Sequence, residues 1–423
     1  MEIALLFIIL FGCVTISIPI GFSLGAATIT CFFLYTNITP MQIGQYLTQG
    51  LDSFPMLAIP YFILAGIVMS KGGVARRLVD VFMAFIGHIK GGLAVVMTVT
   101  CCFFGAISGS ATATTASIGG VMIPEMKEKG YPAAFCSTLA ATAGIIGIII
   151  PPSIAFVIYG VITNTSVSDL FLAGIIPGIL ITIVLSTLCV IISIKEDIPT
   201  VPKKTWKERI QTIWSAKWSL LAPVIILGGI YSGIFTPTEA AVVAVVYAAI
   251  VGIFGYKELT VKDLYEALSE TINTNCCFTF MLAVATAFSR YVTLQRVPAK
   301  VVEMISRLTT NEIIILLLIN LFLLLVGCVV DNIPALTILA PILLPLAQQT
   351  GLSTIQFGVV IVLNTVIGLI TPPYGPNLYL GNMIAKAKFE DSLKYLGPLF
   401  GGMILVLLIV TYIPSISTIL IRH

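Results

Sequence analysis

The sequence predicts an all-α polytopic membrane protein built from two inverted-topology repeats. Three observations carry that prediction. Of 423 residues, 58% are hydrophobic and 10% charged, against about 45–50% and about 25% in soluble domains. Glycines and prolines recur at one fixed interval between the two halves. The loops that correspond under that interval differ in positive charge.

Stretches 2–35, 218–254, 312–330 and 399–421 are long and nearly free of charge, which is the signature of membrane spans. The chain opens Met1-Glu2 with no basic n-region and no small-residue cleavage site, so the first segment is expected to be a retained span. One clearly polar stretch, 196–217, carries Lys203, Lys204, Lys207, Arg209 and Lys217, with tryptophans at Trp206, Trp214 and Trp218. Basic residues beside interfacial tryptophans predict a short amphipathic linker helix on the cytoplasmic face. It separates a first repeat, 1–195, from a second, 218–423. A further surface helix is expected at about 257–270, where Thr260 precedes Asp263 in a capping pattern.

The repeat is visible at a shift of 221 residues. Pro124 falls on Pro345, Gly130 on Gly351, Gly147 on Gly368, Pro151-Pro152 on Pro372-Pro373, Gly160 on Gly381 and Pro177 on Pro398. With 35 glycines and 22 prolines in the chain, seven such matches without a gap mark one device used twice. After Pro124 the chain reads EMKEKG, with Lys127 and Lys129, whereas after Pro345 it reads LAQQTG, with no basic residue. The positive-inside rule puts the first loop in the cytoplasm and the second outside, so the repeats are inverted. Inverted repeats are characteristic of secondary transporters.

Each repeat has two interruptions at membrane depth. The first lies in 103–124 and 324–345, with about 15 apolar residues on either side. Fifteen helical residues rise only about 23 Å, short of a bilayer core of about 30 Å. Re-entrant helical hairpins are therefore expected at about 92–126 and about 312–348. The second is the Pro-Pro pair, which breaks helices expected at about 132–162 and about 354–386. Irregular backbone at that depth is tolerated where protein buries it or a watery cavity meets it.

These breaks collect oxygen. The first tip offers the hydroxyls of Ser108, Ser110, Thr112 and Thr114, and the second offers Asp331 and Asn332. A proline at position i cannot bond the carbonyl at i−4. Pro151 and Pro152 thus free the carbonyls of Gly147 and Ile148, and Pro372 and Pro373 those of Gly368 and Leu369. Hard oxygen without a dense carboxylate cage suits Na⁺ better than Ca²⁺ or Mg²⁺. Asp331 is the strongest single pointer, because an intramembrane carboxylate is expensive.

Other chemistries find little support. The nine cysteines lie in apolar segments without CxxC or metal-ligand spacing, and read as small buried hydrophobes. His88 and His423 are far apart in sequence, and no HExxH motif is present. An intramembrane hydrolase using Ser108 or Ser110 lacks a base nearby. A net charge of +3 without a basic face gives no case for nucleic-acid binding. No enzyme is expected. A passive channel would want a uniform pore lining in place of repeated broken helices.

The stretches GAISGSATATTASIGGVMIPEM, YPAAFCSTLAATAGIIGIIIPPSIAFVIYG, GIFTPTEAAVVAVVYA and GLITPPYGPNLY resemble the large (DctM-type) membrane subunit of TRAP, tripartite ATP-independent periplasmic, transporters. The likeness runs over essentially the whole chain. The tip SGSATATT departs from the SGSGPAT-like variants of many members. The resemblance implies an elevator transporter of the bacterial inner membrane, in which a transport domain with both hairpins moves against a scaffold. It implies an inward Na⁺ gradient as the coupling ion and no organic cofactor. Its partners would be a small four-helix (DctQ-type) membrane subunit, a soluble periplasmic (DctP-type) substrate-binding protein and the bilayer itself.

Residue by residue, the resemblance implies one Na⁺ site of Ser108 and Ser110 with Gly147, Ile150 and Pro152. A second would use Gly327, Val329 and Asp331 with Gly368, Thr371 and Pro373. Thr112, Ser153, Asn332 and Asn364 would be polar substrate contacts. The family's substrates are organic acids, and Arg290, a cation in an apolar stretch, is the candidate anion partner, with a snorkelling interfacial arginine as its alternative. A single cation favours a monocarboxylate such as sialic acid over a C4-dicarboxylate. The competing function is a stand-alone ion-coupled anion transporter, or a passive channel, without a binding-protein partner.

Overall fold

The structure is a computed structural model that describes residues 2–421, so His423 lies outside the described residues. Among the described residues the regular elements are all helical. The first apolar run divides at Ile18-Pro19 into α1 (Glu2–Thr15) and α2 (Ile20–Tyr35), followed by α3 (Pro40–Gln49), α4 (Ala58–Lys71) and α5 (Val74–Ile86). The first hairpin is α6 (Gly92–Ser108) and α7 (Ala111–Glu128). The first broken helix is α8 (Ala133–Gly144), α9 (Ile146–Ile149) and α10 (Ile154–Thr163), and the long span α11 (Val167–Lys195) closes the repeat.

The linker holds α12 (Trp206–Ser215), which meets α13 (Lys217–Tyr231) at a 57° bend. Next come α14 (Pro237–Ile250), α15 (Val261–Leu294) and α16 (Val297–Leu308). The second hairpin is α17 (Glu312–Gly327) and α18 (Asn332–Gln349). The second broken helix is α19 (Thr354–Gly368) and α20 (Pro376–Ala385), and α21 (Phe389–Tyr412) and α22 (Ser415–Thr418) end the chain. Among the described residues, six helices are long and apolar enough to cross a membrane, or eight if each of two bent pairs counts as one span.

Local chemistry explains the boundaries. The first tip turns at Gly109, whose φ of +60° suits glycine, and Ser110 then caps α7 by accepting from the Ala113 N–H at 3.4 Å. Asp331 caps α18, its Oδ1 accepting from the Asn332 N–H at 2.6 Å. Thr236 and Glu239 form a capping box that opens α14 at Pro237. The expected surface helix at 257–270 differs in one respect. Thr260 and Asp263 do form its capping box, but the helix runs on without a break to Leu294. Nothing in 261–294 is a glycine or proline that would end it.

On α12, Trp206 and Trp214 are each 70% exposed, and the Lys217 Nζ lies 4.0 Å from the Trp214 ring centroid. Arg209 turns inward instead, between the rings of Phe85 and Trp206.

The two repeats interlock. The arm α20 of the second repeat packs against α7 and α8 of the first, while α10 of the first packs against α18 and α19 of the second. Polar bonds fix each crossing. Lys127 donates to the Ala385 carbonyl at 2.9 Å, capping the end of α20. Ser137 and Ser392 both donate to the Asn382 Oδ1, at 2.6 and 2.5 Å. Tyr159 donates to the Thr354 carbonyl at 2.7 Å. Around this body, α4 packs on α14 and α15, and α15 in turn on α2 and α3.

Candidate functional site

Both hairpin tips and the first break converge on a cavity of about 350 Å³. Ser108, Ser110 and Thr112 reach it from the first tip, Asn332 from the second, Ile154 from the first break, and Glu270 from α15. The first turns of α7, α10 and α18 all border this space. Helix N-termini present unsatisfied N–H groups and a positive dipole end.

The first ion-site residues come together tightly. Ser108 is buried, and its Oγ lies 2.9 Å from the Thr114 Oγ1. The Thr114 hydroxyl donates to the Ser110 carbonyl at 2.7 Å, so its proton is committed and Ser108 donates to it, keeping lone pairs of its own. The Ser110 Oγ lies 3.2 Å from the Thr112 Oγ1. Backbone meets backbone here: a Cβ on Gly109 would sit 2.6 Å from the Pro152 carbonyl oxygen, and one on Gly105 would sit 2.6 Å from the Gly147 Cα. Ile150 ends α9, its N–H donating to Ile146 at 2.9 Å, and its side chain packs against Gly178 of α11. Thr114 and the Ser110 carbonyl of the tip thus pack against Gly147 of the break, where Pro151 and Pro152 remove the helical donors of the Gly147 and Ile148 carbonyls, and oxygens of these kinds fit a hard monovalent cation.

The second set is more open. Gly327 packs directly on Gly368, with a Cβ at Gly327 only 3.1 Å from the Gly368 Cα. Tyr374 donates its N–H to the Cys328 carbonyl at 3.1 Å, tying the second tip to the second break. Asp331 is exposed and Val329 is 61% exposed, its side chain lying along a groove shared with α1 and α16. The Thr371 hydroxyl donates to the Ile367 carbonyl at 2.8 Å and keeps its lone pairs. The freed carbonyls behave differently from the expectation of bare oxygens. Gly368 accepts the Thr371 N–H at 2.9 Å and Leu369 accepts the Asn377 N–H at 3.0 Å. Each therefore keeps one lone pair, not two.

The expected substrate contacts divide. Thr112 and Asn332 line the cavity; the Asn332 Oδ1 accepts from the Thr365 hydroxyl at 2.6 Å. Ser153 is buried and caps α10, accepting from the Phe156 N–H at 3.3 Å. Asn364 does not reach the cavity. Its Nδ2 donates to the Asn320 Oδ1 at 2.8 Å, and Asn320 donates onward to Thr411 at 3.1 Å, so it bonds helices together.

Arg290 is not brought there either. It is exposed, with its guanidinium 5.6 Å from the Tyr46 ring centroid. Phe278 is the last α15 residue on the cavity, and Arg290 lies roughly 18 Å of helical rise beyond it. Glu270, at the expected end of a surface helix, carries no signal of its own in the sequence. Continuity of α15 is what carries it to the cavity. Among the described residues, no cluster of three His, Cys, Asp or Glu side chains could hold a metal ion.

A helical multi-pass membrane body, with two hairpin tips and a broken helix around one cavity, is the architecture of a membrane permease. The chain belongs to the family described as tripartite ATP-independent periplasmic transporter, DctM component, whose model matches residues 7–416. It is 40% identical over 95% of its length to the isethionate TRAP transporter permease protein DctMQ of Oleidesulfovibrio alaskensis, and spans 63% of that relative's length. It is 38% identical to the C4-dicarboxylate TRAP transporter large permease protein DctM of Pseudomonas aeruginosa, covering 93% of this chain and 92% of the relative. The sialic acid TRAP transporter large permease protein SiaM of Vibrio cholerae is 36% identical, with 97% and 96% covered. In fold it is similar to the crystal structure of the YdaH transporter of Alcanivorax borkumensis, at a TM-score of 0.62, 15% identity and 89% coverage of both chains. These relatives are transport permeases, not enzymes.

Proposed function

We propose that this chain is the large permease subunit of a Na⁺-coupled importer of a small organic acid in the bacterial inner membrane. The observation that carries the reading is the cavity of about 350 Å³ on which both tips and the first break converge. The first turns of three helices border it, and helix N-termini favour a carboxylate or sulfonate without a paired cation. Relatives named for isethionate, C4-dicarboxylates and sialic acid fit that chemistry. Because Arg290 is remote from the cavity, the charge count gives no ground for preferring sialic acid among them.

Na⁺ would be held in two places, by Ser108, Ser110, Gly147, Ile150 and Pro152, and by Gly327, Val329, Asp331, Gly368, Thr371 and Pro373. The interlocked hairpins and broken helices would move as one body against α2, α4, α14 and α15, with the repeats inverted in the bilayer. A small four-helix subunit would brace that scaffold, and a soluble periplasmic protein would deliver the acid. The test is uptake by the complex reconstituted in liposomes with its binding protein. Replacing Na⁺ by K⁺ is expected to abolish accumulation, and Asp331→Ala to lower it strongly. Uptake indifferent to both changes would rule out the coupling.

A further inference from the structure

The second break contains a side chain that nothing among the described residues satisfies. Asn377 opens α20, is 0% exposed, and neither its Oδ1 nor its Nδ2 has a hydrogen-bond partner. A buried amide left unpaired is costly, by about 1–3 kcal/mol for each group. Such a group in a native interior calls for a water or an ion. Its backbone is in contrast firmly held, since the Asn377 N–H donates to the Leu369 carbonyl at 3.0 Å. That carbonyl is the one Pro373 leaves without its helical donor. The amide is therefore stapled to the broken turn that also carries Gly368, Thr371 and Pro373.

The freed carbonyls of the same turn are partly committed. Thr371 and Asn377 each take one lone pair of a freed carbonyl, and Asp331 and Val329 on the facing tip are exposed. A carboxamide oxygen is a hard neutral ligand of the kind such a site takes. We propose that Asn377 is a ligand-bearing residue of the second break, its Oδ1 turning to the cation held by this turn and the tip of α17–α18. Thr371 then supplies its hydroxyl lone pairs from the other side. The proposal rests on the sodium-coupled reading above.

The experiment is a thermal melt of the purified complex across an NaCl titration, with KCl holding ionic strength constant. The wild type is expected to melt higher in Na⁺ with a defined midpoint. Asn377→Leu, which keeps the volume and removes the unpaired amide, is expected to melt no lower than wild type in K⁺. Its Na⁺ midpoint should rise about ten-fold or more. Asn377→Asp restores an oxygen at the same place and is expected to recover the Na⁺ response. A leucine variant titrating at the wild-type midpoint would overturn the assignment of Asn377 alone. A wild type with no Na⁺-specific shift would overturn the sodium reading, and the role of Asn377 with it.

Discussion

At the scale of single residues, the first ion-site set is governed by how closely backbone can approach backbone. A Cβ on Gly147 would collide with the Thr114 hydroxyl and lie 3.0 Å from the Ser110 carbonyl oxygen. Gly147→Ala therefore overpacks the tip against the break, at a cost of about 1–3 kcal/mol. The expected outcome is a lower melting temperature together with weakened Na⁺ dependence of uptake. A variant matching wild type in both would show that the tip and the break are not in contact during transport.

Residue identity was only partly legible from the chain alone. Ser108, Ser110, Thr112, Asn332 and Asp331 stand out because polar groups are rare among so many apolar neighbours, and the structure places them at the two tips. Arg290 and Asn364 stand out for the same reason, yet each has a local partner, Tyr46 and Asn320. An isolated polar residue in an apolar string marks a need for a partner without saying where it lies. Asn377 was invisible by the same logic, since TPPYGPN reads as ordinary turn chemistry.

At the scale of elements, punctuation decides what can be foreseen. The hairpins and broken helices follow from Gly109, the capping residues Ser110 and Asp331, and the two Pro-Pro pairs, which act through local sterics. The continuity of α15 could not be read so easily. Its first part is polar and its last part apolar, and helical composition alone does not separate a bend from a straight run. One element junction also makes a pH prediction. Glu196, at the C-terminal end of α11, accepts from Lys394 and Tyr395 of α21, each at 3.0 Å.

Those hydrogen bonds, the one from Lys394 foremost, hold the Glu196 carboxyl below its ordinary range. A lowered carboxyl contributes stability at and above the ordinary carboxylate range, and that contribution is lost as pH falls through the lower folded value. Melting temperature should therefore drop, once pH falls below the ordinary carboxylate range, more for wild type than for Glu196→Gln. Parallel pH profiles of the two proteins would exclude the junction as an acid-sensitive contact.

At the scale of the whole molecule, the contact between α4 and the first hairpin tests whether the interlocked body moves. The Ser70 Oγ of α4 lies 2.6 Å from the Ser117 Oγ of α7, outside both ion-site sets. Two cysteines at such neighbouring positions are within bridging reach. The double variant Ser70→Cys, Ser117→Cys is expected to transport when reduced, to stop when oxidised, and to recover with reductant. Uptake that continues through a fully formed bridge would exclude sliding of the hairpin against α4.

The crossing of α10 and α20 into each other's repeats also bears on where such a chain comes from. Neither half closes its own packing: residues 1–195 leave the seat for α20 on α7 and α8 empty, and the second half leaves the seat for α10 on α18 and α19 empty. An ancestor of half this length would have been obliged to pair with another copy of itself, each lending one arm to the other. In this chain the α12 linker joins the two halves, so that exchange is internal. Joined in one chain, the two seats need not be identical: Lys127 caps one crossing and Tyr159 ties the other.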